Sequence, residues 1–334
     1  MILFALALAF RVPLVAQSDV SGVVLHGEGG LVTSLVLDPA SPSTIFAVTA
    51  RGIYRSVDSG ARWEARQSGL ESHSVLSVAL DPASPGRMYA TTDTGGVYTS
   101  TDGGNRWAEA NRGLISRYVG AVAVQGSAVY VGTEAGRIFR STDAAATWAE
   151  LTSPTPRVAV TAIAIDPSSG VLYAGTNSEG IFKSSDGGST WVHGTGPASR
   201  GTIWAIVIDP TRSATIYAAT YDGLFRSDDA GATWSSLHRT PKSSNVLALA
   251  IDPGNPKTLY AATAMGVCKS SDGGLSWAML NSNLFVTSLS LDPKATSVLY
   301  AGTHLGVLKS VDAGVSWMPL RLGPTLGDAL TAGR

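Results

Sequence analysis

An eight-residue box that opens on serine, carries aspartate at its third place and closes on tryptophan occurs seven times in this chain. The copies are SVDSGARW from Ser56, STDGGNRW from Ser100, STDAAATW from Ser141, SSDGGSTW from Ser184, SDDAGATW from Ser227, SSDGGLSW from Ser270 and SVDAGVSW from Ser310. The closing tryptophans, Trp63, Trp107, Trp148, Trp191, Trp234, Trp277 and Trp317, are spaced by 44, 41, 43, 43, 43 and 40 residues. A period of this length marks a small unit that cannot bury its own faces and is stacked on copies of itself.

The second unit, SVLSVALDPASPGRMYATTDTGGVYTSTDGGNRWAEANRGL, contains four short apolar runs, VLSVAL, RMYATT, GVYTS and RWAEA. Each is bounded by Pro, Gly, Asp or Ser, which predicts four strands and tight turns and argues against helix. Before each Asp-Pro, or Gln125-Gly126 in the third unit, a large residue such as Leu35, Val78 or Ile206 follows a small one such as Ser34, Ser77 or Ala205. A strand of this kind suits the crowded inner edge of a sheet packed between two neighbours. The second strand of every unit carries an aromatic ring: Phe46, Tyr89, Tyr130, Tyr173, Tyr217, Tyr260 or Tyr300. Such rings can fill the gap between adjacent sheets. Seven four-stranded units that must cover one another close into a ring, so the expected fold is all-β, a seven-bladed β-propeller with four antiparallel strands per blade.

The box then reads as a turn between the third and fourth strands. Serine and aspartate side chains satisfy the turn's own N–H groups, glycine takes a positive φ, and tryptophan opens the fourth strand and clamps the turn. Ala145 stands where the other boxes have glycine, so Ala145→Gly is expected to relieve strain.

These boxes resemble the Asp-box, or BNR, repeats of bacterial neuraminidases. The whole unit is similar to the propellers of xyloglucanase-type glycoside hydrolases, sortilin-type receptors and photosystem II assembly factors, and the resemblance covers Leu31 to Leu320. It specifies the fold more sharply than the function, because those relatives include enzymes, receptors and assembly factors. The FRVP stretch at Phe10–Pro13, similar to the neuraminidase FRIP motif, precedes the first unit, and no tyrosine stands beside a glutamate outside the core strands. The xyloglucanase type implies paired carboxylates in a cleft between two propellers, and this chain has length for one. The single-propeller assembly factors imply protein binding without catalysis.

Hydrophobic residues make up 44% of the 334 residues and charged ones 15%, which describes a folded chain with a large core. With a formal charge of −1 and no lysine or arginine run, the electrostatics for holding a phosphate backbone are missing, so nucleic acid is not an expected partner. Cys268 is the single cysteine and falls at a core position of its unit. The five histidines lack metal-ligand spacing and there is no Gly-Lys-Ser/Thr phosphate loop, so no metal and no cofactor are expected. The apolar run Ile2–Phe10 is too short to span a bilayer and suits a secretory leader, predicting a secreted or periplasmic protein. The expected layout is leader 1–17, an N-terminal segment 18–30, the propeller 31–322 and a tail 323–334. Val20–Gly27 is a candidate extra strand on the last blade that helps close the ring.

The Asp-Pro turns and the boxes fall at the same strand ends, so one face of the ring carries both. The opposite face carries the inter-blade links and the loops between second and third strands, which differ from unit to unit. There lie Arg117, Tyr118, Arg157, Arg200, Trp204 and Tyr221, the candidate ligand-binding residues. Three arginines on consecutive blades can converge on a carboxylate or sulfate through their guanidinium forks; alternatively they pair with Glu134, Glu179 and Asp222 in surface ion pairs. The expected function is a monomeric, non-catalytic binding or assembly module for a protein or glycan, an anionic one if the arginines converge. The alternative is a glycoside hydrolase using two of Glu134, Glu179 and Asp222 as acid and base.

Overall fold

A computed structural model describes residues 30–70, 73–155, 157–196, 198, 201–237, 245–282 and 284–322. The described strands form seven separate four-stranded antiparallel sheets, each built from consecutive strands. In blade one these are β1 (Val32–Leu37), β2 (Ile45–Thr49), β3 (Gly52–Ser56) and β4 (Glu64–Ala65). Blades two to seven begin at Val75, Val119, Val160, Ile203, Val246 and Val286. There is no α-helix among the described residues. The ring of seven blades that the repeat period implied is therefore the architecture of the chain.

The cores lie between blades. Phe46 packs with Val78 and Trp107 of blade two, Tyr89 with Val129 and Trp148 of blade three, and Tyr300 with Val32, Ile45 and Trp63 across the seam between last and first blades. All seven second-strand aromatics are at most 5% exposed. In three blades the tyrosine hydroxyl also crosses the gap and donates to a carbonyl in the next blade's box: Tyr173 to Ala230 at 3.3 Å, Tyr217 to Gly273 at 3.3 Å and Tyr300 to Ser59 at 3.4 Å. A third-strand cation lies over the ring of its own blade, as Arg226 does on Tyr217 and Lys309 on Tyr300, and these two donate to the same carbonyls of Gly273 and Ser59. Each such stack fixes one blade's sheet to the next blade's turn.

The seam follows the same rules. Ser290 Oγ donates to the Leu35 carbonyl at 2.8 Å and Lys294 Nζ to that of Ala40 at 2.6 Å, besides Tyr300 and Lys309 on Ser59. The strand expected at Val20–Gly27, the leader and the tail lie outside the described residues.

The box works as a turn device. In box four, Ser184 Oγ donates to Asp186 Oδ1 at 2.8 Å and accepts the Gly188 N–H at 2.8 Å, while Asp186 Oδ1 accepts the Thr190 N–H at 2.9 Å. The aspartate and serine thus satisfy donors that the turn leaves unpaired. The tryptophans differ from the expectation in two ways. Each stands just ahead of the fourth strand, as Trp63 does before Glu64–Ala65. Only Trp63, Trp277 and Trp317 bond their own box, whereas Trp107, Trp148 and Trp191 donate Nε1 to carbonyls of the preceding blade, at Arg66, Ala110 and Thr152.

Ala145 keeps the sister geometry at φ 69°, with its N–H on Ser141 Oγ at 2.8 Å. Its methyl group is fully buried and packs in one cluster with Ala110 of the preceding blade. The simple expectation that Ala145→Gly stabilises is thereby revised. Relief of about 1 kcal/mol of backbone strain is offset by roughly 0.8 kcal/mol for the lost methyl burial. We expect a net change within about 0.5 kcal/mol, read as an unmoved denaturation midpoint.

Cys268 is fully buried with Sγ 3.7 Å from Met279 Sδ, and burial pushes its thiol up to about 11. It is a packing residue, as its place in the repeat implied.

Candidate functional site

Backbone hydrogen bonds fix the two faces. The box amides of Ser59, Gly103, Ala230, Gly273 and Ala313 donate to carbonyls in the turns joining first to second strands, at Ser43, Gly86, Ala214, Lys257 and Ser297. The boxes and Asp-Pro turns therefore share one face. The loops between second and third strands and the links between blades form the other.

A threonine ends every second strand and anchors the loop that follows. Thr92 Oγ1 donates to the Gly96 carbonyl at 3.0 Å and accepts the Gly95 N–H at 2.9 Å, and Thr220 acts likewise on Gly223 and Asp222. These loops have four residues in blades two, three and four, Asp93–Gly96, Glu134–Arg137 and Asn177–Gly180, and two in the others. Loop length thus does not single out blade three, and the enlarged part of the face spans three adjacent blades.

The expected site residues divide between two neighbouring groups. In the first, the Arg117 guanidinium is half exposed, lies 3.6 Å from Glu109 and donates to the Gly95 carbonyl at 3.3 Å. Arg117 and the half-buried Tyr118 belong to the link entering blade three, and the carbonyl of Tyr118 accepts the Glu134 N–H at 3.3 Å. Glu134 is exposed. Arg157 is exposed at φ 76°, its N–H donates to the Ala135 carbonyl at 3.2 Å, and it makes no ion pair with any described residue. The link that carries it is pressed onto the blade-three loop: a Cβ on Gly136 would stand 2.4 Å from the Thr155 carbonyl oxygen, so only glycine fits there.

The second group straddles blades four and five. The backbone of Glu179 bridges to Gly201, and Asp222 Oδ2 lies 3.3 Å from where a Cβ on Gly201 would be, so two exposed acidic residues adjoin one glycine. Tyr221, 58% exposed, donates its N–H to the Thr202 carbonyl, and Thr202 Oγ1 donates to the Asn177 carbonyl at 2.7 Å. Trp204 sits on the bulge near the start of the inner strand Ile203–Ile208, where Ile203 pairs with Thr220 and Ala205 with Ala219. The same bulge carries Thr33, Leu76, Gly120, Thr161, Leu247 and Thr287 in the other blades. The buried indole Nε1 of Trp204 has no partner among the described residues. Arg200 lies outside the described residues.

The expected pairing of arginines with Glu134, Glu179 and Asp222 does not occur among the described residues. Arg117 pairs with Glu109, and the nearby Arg137 with Glu150. Both carboxylates stand on outermost strands, Ala108–Glu109 and Ala149–Glu150, where a long side chain reaches outward more readily than across the ring. No group of three or more His, Cys, Asp or Glu side chains among the described residues is placed to hold a metal ion, and no described helix is long and apolar enough to cross a membrane.

The opposite face holds cavities that the repeat analysis did not single out. One, of about 470 Å³, opens at the Asp-Pro end of the ring axis between the inner strands of blades one, five, six and seven, lined by Val36, Val207, Ala250 and Ser290 and the turn prolines Pro39, Pro210, Pro253 and Pro293. Its legible signal was the recurrence of proline after the inner-strand aspartate. A second, between blades one and two, is described below.

No protein-family model and no curated protein matches the chain. Among solved structures, it is similar to the GH74 enzyme of Niastella koreensis, at 22% identity and a TM-score of 0.74 over 87% of this chain and 54% of that one. The GH74 xyloglucanase of Xanthomonas campestris gives 20% and 0.75, over 89% and 54%. YCF48 bound to a D1 peptide gives 17% and 0.67, over 84% of this chain and 93% of that one. The chain thus spans about half the length of the two GH74 proteins and nearly all of YCF48. At these identities the shared feature is the propeller fold, found in both enzymes and a peptide-binding protein.

Proposed function

We propose that this chain is an exported, monomeric binding or assembly module that holds an anionic segment of a protein or glycan on the loop face of blades three to five. Arg117, Arg157 and Arg200 supply the cationic contacts, and Tyr118, Trp204 and Tyr221 the aromatic ones. The apolar run Ile2–Phe10 is the feature that supports export. The observation that carries the non-catalytic reading is that Glu134, Glu179 and Asp222 are all solvent-exposed. A glycosidase acid of the lysozyme kind is set in a buried apolar pocket, and none of these three side chains is buried. The match to nearly the whole of YCF48, whose structure carries a bound peptide, is consistent with this reading.

One observation favours the hydrolase alternative: Glu179 and Asp222 both adjoin Gly201, which brings two acidic residues together on the loop face, and a glycosidase needs such a pair. One experiment separates the two. An eight-residue glutamate-rich peptide titrated against the protein should bind with an affinity that falls as salt rises. Replacing Arg117, Arg157 and Arg200 together by alanine should weaken binding about tenfold or more while shifting stability by no more than about 1 kcal/mol, since the Arg117–Glu109 pair is exposed. Unchanged peptide affinity in the triple variant, or xyloglucan oligosaccharide cleavage that Glu179→Gln abolishes, would remove the binding-module reading.

A further inference from the structure

The cavity between blades one and two, about 320 Å³, lies on the box face, away from the loops described above. Its walls are mostly apolar, with Phe46, Met88, Leu80 and Pro82 among them, and Arg55 and Gly103 close its outer end. A volume of this size is within the range of small-molecule sites.

The cavity coincides with a departure from the repeat. Six blades have tyrosine in the second strand and blade one has Phe46. Tyr173, Tyr217 and Tyr300 place a hydroxyl on the carbonyl of the fourth box residue of the next blade; Phe46 has none to give, and the carbonyl of Gly103, like those of Ala144, Gly187 and Ala313 next to Tyr89, Tyr130 and Tyr260, receives no hydrogen bond among the described residues. The cation is unengaged too. Arg226 and Lys309 donate to the equivalent carbonyls, but the Arg55 guanidinium, 5.8 Å above the Phe46 ring, makes no hydrogen bond or ion pair with any described residue, and its Nε is buried without a partner. Arg140 lies over Tyr130 in a similar stack, so the posture of the cation alone does not define a site. The Nε of Arg140 is likewise buried without a partner, so what sets the blade one junction apart is that its arginine and a phenylalanine in place of tyrosine border a cavity. The other charged groups there are Arg87, 3.8 Å from the buried Asp81 carboxylate, and Asp38, whose Oδ1 accepts the Ala40 N–H. These carboxylates disfavour a multiply charged ligand, and with Arg87 paired to Asp81 the charges that remain at the cavity are Arg55 and Asp38, of opposite sign.

We infer that this cavity is a binding site for a small aromatic carboxylate, whose carboxyl group engages the Arg55 guanidinium and whose ring lies among Phe46, Met88 and the turn prolines. A guanidinium fork against a carboxylate in a half-buried setting supplies orientation, and the apolar walls supply the burial.

Benzoate is the probe, titrated by calorimetry against the full chain, with benzamide as its neutral counterpart. Benzoate should bind with a Kd of about 1 mM or tighter, and benzamide at least about tenfold more weakly. Arg55→Gln should weaken benzoate about tenfold or more by removing the charge. Phe46→Tyr, which installs the residue of the other six blades, should weaken it similarly by placing a hydroxyl in the cavity, with the melting temperature held or raised. Equal binding of benzoate and benzamide, no binding in this range, or unchanged affinity in either variant would overturn the assignment, as would a preference for inorganic phosphate over benzoate.

Discussion

Gly188→Ala is expected to cost about 2–5 kcal/mol of stability, an unusual loss for adding one methyl group. Gly188 is at φ 95°, where an L side chain adds about 1–2 kcal/mol of backbone strain. The new Cβ would also stand 2.4 Å from Leu151 Cδ1 of the preceding blade, and Leu151 is packed against the core of that junction. Forcing it aside adds roughly 1–3 kcal/mol. Gly60, Gly274 and Gly314 meet Leu320, Leu237 and Leu280 in the same way, at 2.3–2.7 Å. The chain already contains the solved version of this conflict, because Ala145 takes the glycine place in box three and Ala110 takes the place of the leucine. Adding Leu151→Ala to Gly188→Ala should therefore cost less than the sum of the single changes by about 1–3 kcal/mol. Ala110→Leu should destabilise and Ala145→Gly should then rescue it. Denaturation midpoints of the four proteins in each cycle provide the check, and additive effects would show that box and preceding strand do not share the space.

The second large effect is on acid stability. Asp143, Asp186, Asp229, Asp272 and Asp312 are each held down to about 2, first by the hydroxyl of the Thr or Ser four residues on and then by that residue's N–H. Asp58 and Asp102 are also lowered, but Arg62 and Arg106 stand at that place and offer the carboxylate a backbone N–H without a hydroxyl. Unfolded aspartates titrate near 3.9. A folded value below the unfolded one means the ionised form favours the fold. This contribution is complete above about pH 4–5 and is lost as pH falls towards 2. Unfolding near pH 3 should take up several protons, up to one for each of these five boxes. Exchanging the five aspartates for asparagine should lower stability at pH 7 and flatten its decline between pH 5 and 2.5. A wild-type profile that is already flat across that window would contradict the role given to the boxes.

The propeller was legible because its signal is repeated: seven boxes, seven second-strand aromatics and seven inner strands each mark the same place in a blade, and one aberrant copy cannot obscure the others. The inter-blade wiring was less legible because it joins residues about forty to sixty positions apart. Trp148 on the Ala110 carbonyl and Tyr217 on that of Gly273 are visible only once neighbouring blades are set side by side. The pairing of Ala110 with Ala145 left a trace, two small residues at sister positions normally held by Leu and Gly, but each alone looks like a neutral change. On the loop face repetition gives no help, because those loops differ by nature. Their chemistry was readable by residue type while their partners were not: the ion-pair alternative names the loop carboxylates, whereas Arg117 lies 3.6 Å from Glu109 on the outermost strand. The small cavity was signalled by one exception, Phe46 in a column of tyrosines.

Hydrogen exchange of the full chain with and without the glutamate-rich peptide tests most directly the claim that the loop face of blades three to five is the binding face. The account predicts slowed exchange in the links at 111–118 and 152–158 and in the loop at Tyr221 and Asp222, with the boxes and Asp-Pro turns unchanged. Protection confined to the Asp-Pro turns, or none at a peptide concentration that saturates binding, would contradict it.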